Sequence, residues 1–176
     1  MKISLVPLGN IDSEIIEELR NRVNSVFLCP VEIETGFSDL AAAYTHQREQ
    51  YLASELLAAL DVGERERNKR VVGIADVDLY APGLNFIFGQ ADVLSGTTII
   101  SLCRLRQEYY GLPPDRDLFL VRAAKEIIHE LGHTFGLSHC PDSKCIMHFS
   151  NSLADTDWKE ANFCPKCCPK MEFLIQ

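Results

Sequence analysis

The sequence predicts an α/β fold that ends in a small, cysteine-rich appendage. Segments with strand patterning alternate with segments of helical periodicity over most of the chain, and most of the seven cysteines come after them. The 176 residues contain no repeat and no linker-like stretch, so we expect a single domain. Within it, residues 1–136 are expected to form a subdomain of sheet and helices, and residues 137–176 a C-terminal subdomain.

The composition is that of an ordinary soluble globular protein, with 47% hydrophobic and 24% charged residues. The net charge of −8 disfavours binding to nucleic acid or to anionic membranes. No apolar run is long enough to span a bilayer, and the first residues lack the long apolar region of a signal peptide. We therefore expect a cytoplasmic monomer whose cysteines are thiols or metal ligands rather than disulfides.

The chain begins with a strand, a helix and a second strand. Residues 3–8 form a short apolar run that predicts a strand. Asp12 or Ser13 can cap a helix that continues to about Phe27, because apolar residues recur on one face of that segment. Residues 30–35 alternate apolar and charged side chains, which predicts a half-exposed strand.

Two further segments lead to the central strands. Residues 47–61 are predicted to form a helix, and the charged run 64–70 a solvent-exposed connection. Residues 71–79 are the best candidate for a buried strand, because they are nearly all apolar apart from two aspartates. Residues 85–94 and 97–102 then predict two strands of a hairpin, joined by a short Ser-Gly turn.

The last long helix carries the candidate chemistry. It is predicted to begin at Asp115, after a loop closed by Pro113 and Pro114. Its apolar positions suit a helix that packs beneath the sheet: Leu118, Val121, Ala124, Ile128 and Leu131.

The end of this helix carries the pattern His-Glu-x-x-His-x-x-Gly-x-x-His. His129 and His133 are four residues apart, so they project from one face and can bind one metal ion. Glu130 is rotated by about 100° from His129, so it stands beside the metal, where it can accept a proton from water. Gly136 can end the helix in a left-handed conformation and bring His139 back as a third ligand. Three protein ligands are typical of a catalytic zinc site; the alternative is a solvated helix end with incidental histidines.

A second group of candidate ligands follows the histidines. Cys140 and Cys145 form a C-x4-C pair, and Cys164 and Cys167 form a C-x2-C pair. This spacing matches a four-cysteine zinc site, which is closed and therefore structural. Two disulfides or unpaired buried thiols are the alternatives. Cys168 could replace Cys167, although Cys167 suits the C-x2-C loop better.

The remaining cysteines and histidines are interpreted as ordinary residues. Cys29 and Cys103 are expected in the core, and His46 as a polar residue without a special role. His148 lies close enough to the candidate ligands for a functional role to stay open. Met147 is either core filler or, because it follows three histidine ligands, a methionine turn that underlies the metal.

With these residues assembled, the sequence resembles the archaemetzincins, a branch of the metzincin metalloproteases. The resemblance covers about the last quarter of the chain, through the histidine pattern, Cys140-x4-Cys145-x-Met147 and the final cysteine pair. Residues 85–91 are also similar. The resemblance implies a metzincin-like, mixed and twisted β-sheet with a backing helix and an active-site helix, plus a small zinc-bound C-terminal subdomain.

The same resemblance implies two zinc ions per chain, one catalytic and one structural. It implies a catalytic zinc with three histidine ligands, a general base and a methionine turn: His129, His133, His139, Glu130 and Met147. It also implies that the structural zinc is held by four thiolates: Cys140, Cys145, Cys164 and Cys167.

The sequence therefore predicts a zinc metallopeptidase that cleaves a peptide or protein substrate with a zinc-activated water and Glu130 as general base. Residues 85–91 are expected to be an edge strand above the active-site helix that pairs with an extended substrate. One alternative is a catalytically weak or inactive, zinc-stabilised protein that binds peptides. A zinc-ribbon nucleic-acid module is disfavoured by the acidic charge. The intact Glu130 favours the enzyme, because a binding module needs no base at that position.

Overall fold

The computed structural model describes residues 1–61 and 68–175. Its strands are β1 (Lys2–Leu8), β2 (Val31–Ile33), β3 (Tyr44–Thr45), β4 (Gln50–Leu52), β5 (Lys69–Ala75), β6 (Leu79–Tyr80), β7 (Gly89–Asp92) and β8 (Thr97–Ser101). Its α-helices are α1 (Ser13–Phe27), α2 (Ala53–Leu60), α3 (Arg116–Thr134), α4 (Leu153–Trp158) and α5 (Cys168–Ile175). Among the described residues, none of these helices combines the length and the apolar character needed to cross a membrane.

The main sheet has five strands in the order β2-β1-β5-β8-β7. The first four are parallel to one another, and β7 lies antiparallel to β8 at the edge. Helices α1 and α3 pack on one face and α2 on the other, because successive strand residues point to opposite faces. Ile100 belongs to the core under α1 and α3, whereas its neighbour Ile99 belongs to the core under α2. The predicted α/β fold with a mixed sheet is confirmed.

Both long helices begin at the predicted caps. The side chain of Asp12 accepts a hydrogen bond from the amide of Glu14 at the start of α1 (2.9 Å). Asp115 does the same for the amide of Leu118 at the start of α3 (3.0 Å). Each cap satisfies an amide that has no partner within its helix. Leu28, in the left-handed conformation with φ of 51°, ends α1.

Helix α3 is enclosed on more sides than its apolar stripe predicts. Besides Ile128 and Leu131, it buries the charged residues Arg122, Lys125 and Glu126. These charged residues face α4 and the residues that follow it, which cover the side of α3 that the sheet leaves open. Burial of charge is tolerated there because each group has an opposite charge or a carbonyl within reach.

Two predicted elements are wrong in part because short strands form a second sheet in the order β3-β4-β6. The helix predicted for residues 47–61 begins only at Ala53, since the amide of Tyr51 instead donates to the carbonyl of Asp78. The strand predicted for residues 71–79 is divided into β5 and β6. Between them the chain bends, and the carboxylates of Asp76 and Asp78 pair with arginines.

The hairpin β7–β8 is confirmed, but its first strand is shorter than predicted. Of residues 85–94, only Gly89–Asp92 form a strand. Ile87 makes an isolated bridge to Leu79 in the second sheet instead. The connection predicted for residues 64–70 lies largely outside the described residues, and Lys69 and Arg70 already belong to β5.

The chain after α3 contains little regular structure apart from α4 and α5. A capping box starts α4, in which Ser152 and Asp155 each satisfy the other's backbone amide. Loops carry the rest of this region, including five of the predicted metal ligands, His139 and the four cysteines. The division between residues 136 and 137 stays a prediction.

Candidate active site

The C-terminal turn of α3 and the loop after it bring the three histidines together. The Nε2 atoms of His129 and His133 lie 3.1 Å apart. Gly136 has a φ of 82°, in the left-handed region that glycine adopts without strain, and the chain reverses there. His139 then returns so that one ring nitrogen of each histidine lies within 4.8 Å of the others.

The hydrogen bonds of two of these rings suit them to bind zinc. Nδ1 of His129 lies 2.8 Å from the carbonyl oxygen of Ile146, and Nδ1 of His133 lies 2.7 Å from that of Leu137. An Nδ1–H that donates to a carbonyl leaves the lone pair on Nε2 free for a metal. Tetrahedral zinc with nitrogen ligands spaces them by about 3.3 Å, close to the spacing of His129 and His133.

Burial keeps the histidines neutral, as metal ligands must be. Burial, with a smaller contribution from the Lys159 ammonium, lowers the pKa of His129 to about 2. Burial also lowers the pKa of His133 and His139, although His139 is the most exposed of the three.

Glu130 stands beside the histidines and is almost fully buried, with 6% of its surface exposed. Burial, and to a lesser extent the nearby Glu126 carboxylate, raises the pKa of Glu130 to about 8. Gly89 of β7 leaves the room that this side chain occupies. A Cβ at Gly89 would lie 2.6 Å from Cγ of Glu130 and 2.8 Å from its Oε1, so a larger residue would displace the carboxylate.

Met147 lies fully buried against α3. Gly132, located between the two helical histidines, makes this contact possible, because a Cβ there would meet the end of the Met147 side chain. The backbone carbonyl of Met147 accepts a hydrogen bond from the amide of Cys140 (2.9 Å). The methionine therefore links the histidine helix to the first cysteine.

A cavity of about 390 Å³ opens over these residues. Its first side is formed by α3 and the loop after it, with Glu126, Glu130 and the three histidines. Residues 84–90 form the opposite side, and residues 149–151, just after Met147, form a third. Phe86, Phe88 and Phe149 make the cavity partly aromatic. It is large enough for part of a peptide, and the histidine nitrogens and the Glu130 carboxylate share it.

The four predicted cysteines form a second cluster. Their sulfur atoms all lie within 4.8 Å of one another, and Sγ of Cys140 lies 3.8 Å from Sγ of Cys164. Four thiolates around tetrahedral zinc are separated by about 3.8 Å, so the cluster fits that metal. All seven cysteines lie in the described part of the chain and none of them forms a disulfide there, which contradicts the disulfide alternative. Cys167 belongs to the cluster and Cys168 does not.

One thiol of this cluster is set up to ionise. Burial opposes ionisation of Cys164, but hydrogen bonds from the amides of Lys166 and Cys167 and from neighbouring thiols lower its pKa to about 7. Burial raises the pKa of Cys145. Thiolates are the form that binds zinc, so Cys164 is the most readily available ligand.

The profile of peptidase family M54 matches residues 8–173. The chain belongs to this family. It is 46% identical over 176 residues to the archaemetzincin of Pyrococcus furiosus, covering 97% of this chain and 92% of that protein. The archaemetzincin of Methanopyrus kandleri superposes with a TM-score of 0.85 at 40% identity, over 99% of this chain and 95% of that one. A zinc-dependent peptidase from Methanocorpusculum labreanum superposes with a TM-score of 0.88 at 28% identity, over 96% of this chain and 99% of that one.

Membership of family M54 confirms three predictions. The resemblance to archaemetzincins, the metzincin-like fold and the class of zinc metallopeptidase all agree with these comparisons. Zinc is the metal that the donor sets of both clusters and the name of the structural relative support.

Sequence reasoning missed several residues that shape this M54 site. Gly89 and Gly132 make room for Glu130 and Met147, and no sequence pattern pairs residues so distant along the chain. His148 has a structural contact, since its Nδ1 lies 3.0 Å from the carbonyl oxygen of Cys140. The predictions for Cys29 and Cys103 are wrong in part, because both are only half-buried. His46 is exposed and packs against Tyr44.

Proposed function

We propose that this M54 peptidase binds two zinc ions per chain and hydrolyses peptide bonds at the histidine cluster. His129, His133 and His139 are the ligands of the catalytic zinc in this proposal, and the four clustered cysteines hold the structural one. The observation that carries it is the shared cavity, in which converging imidazole nitrogens and a buried carboxylate face the same space. Zinc in the histidine site supplies a Lewis acid that polarises the scissile carbonyl and the attacking water.

Glu130 acts as the general base in this proposal. Its carboxylate takes a proton from the attacking water and later passes that proton to the leaving amine. Burial and the neighbouring Glu126 support the second step, because both raise the proton affinity of Glu130. Gly89 holds no side chain against the carboxylate, which keeps its position open.

The substrate is a peptide or a protein, and it binds as an additional strand. Strand β7 lies at one edge of the main sheet and borders the cavity through Gly89 and Gln90. An extended peptide can pair with the backbone of such an edge whatever its side chains. This proposal now involves Gly89–Asp92 and not the whole of residues 85–91, because only the shorter segment is a strand.

The test is cleavage of a diverse peptide library by purified protein, with the cuts mapped by mass spectrometry. Wild-type protein with two zinc ions per chain is expected to cleave peptides, and the Glu130→Gln variant is expected to keep both ions and lose cleavage. A zinc-loaded wild-type protein that cuts no peptide would instead support the alternative of a binding protein.

A further inference from the structure

The cavity side that faces α3 includes residues 84–88, which we call the wall segment. All five residues line the cavity. Their backbone has little regular pairing: Ile87 makes one isolated bridge to Leu79, and β7 begins only at Gly89. The main sheet therefore holds only the last residue of the wall segment, where the carbonyl of Phe88 accepts a hydrogen bond from the amide of Ser101 (2.8 Å). Residues 84–86 make no such pair with it, although a substrate must pass along them.

Two side chains of the β3–β4 hairpin, in the second sheet, donate hydrogen bonds to carbonyl groups of the wall segment. Nη2 of Arg48 donates to the carbonyl oxygens of Leu84 (2.9 Å) and Asn85 (3.0 Å). Nε2 of Gln50 donates to the same carbonyl of Asn85 (2.9 Å). These three hydrogen bonds replace the strand pairing that the segment lacks. We call Arg48 and Gln50 the clamp.

The clamp is itself fixed by a chain of polar contacts. Gln50 is 6% exposed, accepts from Nε of Arg48 (2.9 Å) and donates to Asp78 (3.0 Å). Asp78 accepts two hydrogen bonds from Arg104, at 2.6 and 2.7 Å. The Arg104 guanidinium lies 4.4 Å from the centre of the Phe86 ring, so the chain of contacts returns to the wall segment.

The local sequence builds this arrangement before any substrate binds. Glu49 adopts a φ of 55° in the turn between β3 and β4, between the two clamp residues. Tyr80 of β6 lies under the Arg48 guanidinium at 4.3 Å, and its hydroxyl is 2.8 Å from Oγ1 of Thr45. The second sheet thus orients both clamp side chains. Through them it fixes the wall segment.

We propose that Arg48 and Gln50 are positioning residues that keep the wall segment at the distance from the histidine cluster that a bound peptide requires. This inference rests on the proposed peptidase function, because it concerns how the same cavity binds its substrate. Neither clamp residue belongs to the cavity lining, so both act through the carbonyls of Leu84 and Asn85. Loss of the clamp weakens peptide binding and spares the chemical step, since Glu130 and two of the histidines belong to α3.

The test compares Gln50→Glu with Gln47→Glu. Glutamate keeps the size of Gln50 but cannot donate to Asp78 or Asn85, so it removes the Gln50 hydrogen bond to the wall segment without opening a cavity. Gln47 lies three residues earlier in the same hairpin and is exposed, so the identical change there is the matched control. Arg48→Met is the second variant, at an exposed position, and it removes both Arg48 hydrogen bonds to the wall segment. The readouts are kcat and KM for a cleaved peptide, zinc content, and amide hydrogen exchange of residues 84–88.

Gln50→Glu is expected to raise KM about tenfold, which corresponds to its one lost hydrogen bond to the wall segment, and Arg48→Met, which loses two, is expected to raise KM at least as much. In both variants kcat should stay within about twofold of the wild type. Exchange at residues 84–88 should accelerate, zinc content should not change, and Gln47→Glu should match the wild type. Wild-type exchange and KM in both variants, or a fall in kcat at constant KM, would overturn the proposal.

The two proposals fail in different ways. If Gln50→Glu does not fold, Arg48→Met decides the outcome alone. If the wild type cleaves no peptide, the proposed function fails. Amide exchange in the variants then still decides whether the clamp holds the wall segment, and unchanged exchange would overturn it.

Discussion

The histidine and cysteine clusters lie side by side but are built on different supports. His129 and His133 belong to a helix that packs between the main sheet and the C-terminal region. The four cysteines lie on loops, the last of them directly before α5, in a region with little regular structure. The fold alone therefore positions two of the histidines. The loops that carry the cysteines have little regular structure, so we expect the proposed zinc ion to organise them.

The two clusters share one short stretch of backbone. His139 is followed directly by Cys140, whose amide donates to the carbonyl of Met147. The contacts between α3 and residues 156–159 add a second connection, in which Arg122 pairs with Asp157 and Lys159 lies 3.0 Å from Glu126. Damage to the cysteine cluster should therefore reach the third histidine, whereas damage to the helical histidines should stay local.

Replacing one ligand in each cluster should give the largest difference between the two clusters, because only the cysteine variant should lose stability. Cys145→Ser should lower the melting temperature strongly and abolish activity with it, because structural zinc contributes on the order of 10 kcal/mol of folding energy in small zinc modules. His133→Ala should abolish activity at a near-normal melting temperature. Thermal unfolding followed by circular dichroism measures both. Equal stability of the two variants would mean that the cysteine cluster has no special structural role.

Glu130→Gln should break the chemistry without disturbing either cluster. General-base assistance contributes about 10²–10⁴-fold, so the cleavage rate should fall by that factor while both zinc ions remain. Steady-state kinetics and metal analysis of the same preparation provide the measurement. A variant that cleaves at the wild-type rate would show that another group accepts the proton.

Gly89→Ala tests whether the edge strand β7 keeps the Glu130 carboxylate in position. The added methyl group would lie within 2.8 Å of Glu130 Cγ and Oε1 and would displace the carboxylate. We expect kcat to fall about tenfold or more, since small misplacements of a catalytic group are costly, with melting temperature and zinc content little changed. A wild-type kcat for Gly89→Ala would contradict the proposed role of Gly89.

The smallest expected effect is a pH dependence of stability after zinc has been stripped from the histidine site. Glu130, with its pKa raised from 4.5 to about 8, retains a proton that the unfolded chain releases, so stability falls as pH rises through that window. His129, with its pKa lowered from 6.5 to about 2, stays neutral in the folded protein where the unfolded chain binds a proton, so stability falls as pH drops below 6.5.

The two contributions oppose each other between pH 4.5 and 6.5, and Glu130 acts without that opposition between 6.5 and 8. Denaturant unfolding of the zinc-stripped wild type and the zinc-stripped Glu130→Gln variant across this pH range isolates the contribution of Glu130 to the free energy of unfolding. The difference between them should grow with pH, and a constant difference would contradict the burial assigned to Glu130.

Local patterns predicted those parts of the molecule whose partners lie nearby in sequence. The caps Asp12 and Asp115, the histidine spacing on one helix face and the left-handed Gly136 each depend on a few adjacent residues. The hairpin β7–β8 belongs to the same class. These features were therefore correct in kind, with errors at the ends of elements.

The errors arise where distant segments decide the conformation. Residues 50–52 have helical character, but Tyr51 finds a backbone partner in Asp78, and a strand forms instead. Residues 85–88 have strand character, but the carbonyl of Asn85 binds the clamp and Ile87 pairs with Leu79 of the second sheet, so β7 begins only at Gly89. Gly89 and Gly132 matter because of Glu130 and Met147, and neither pair is encoded by spacing along the chain.

Native mass spectrometry of the intact protein tests most directly whether the chain holds two distinct zinc sites. The wild type should carry two zinc ions, and His133→Ala and Cys145→Ser one each. A chelator should remove the histidine-site ion first, since its ligands are neutral and its cavity is open, and leave the cysteine-bound ion and the fold in place. A wild-type protein with one zinc ion, or two ions that leave together, would contradict the account.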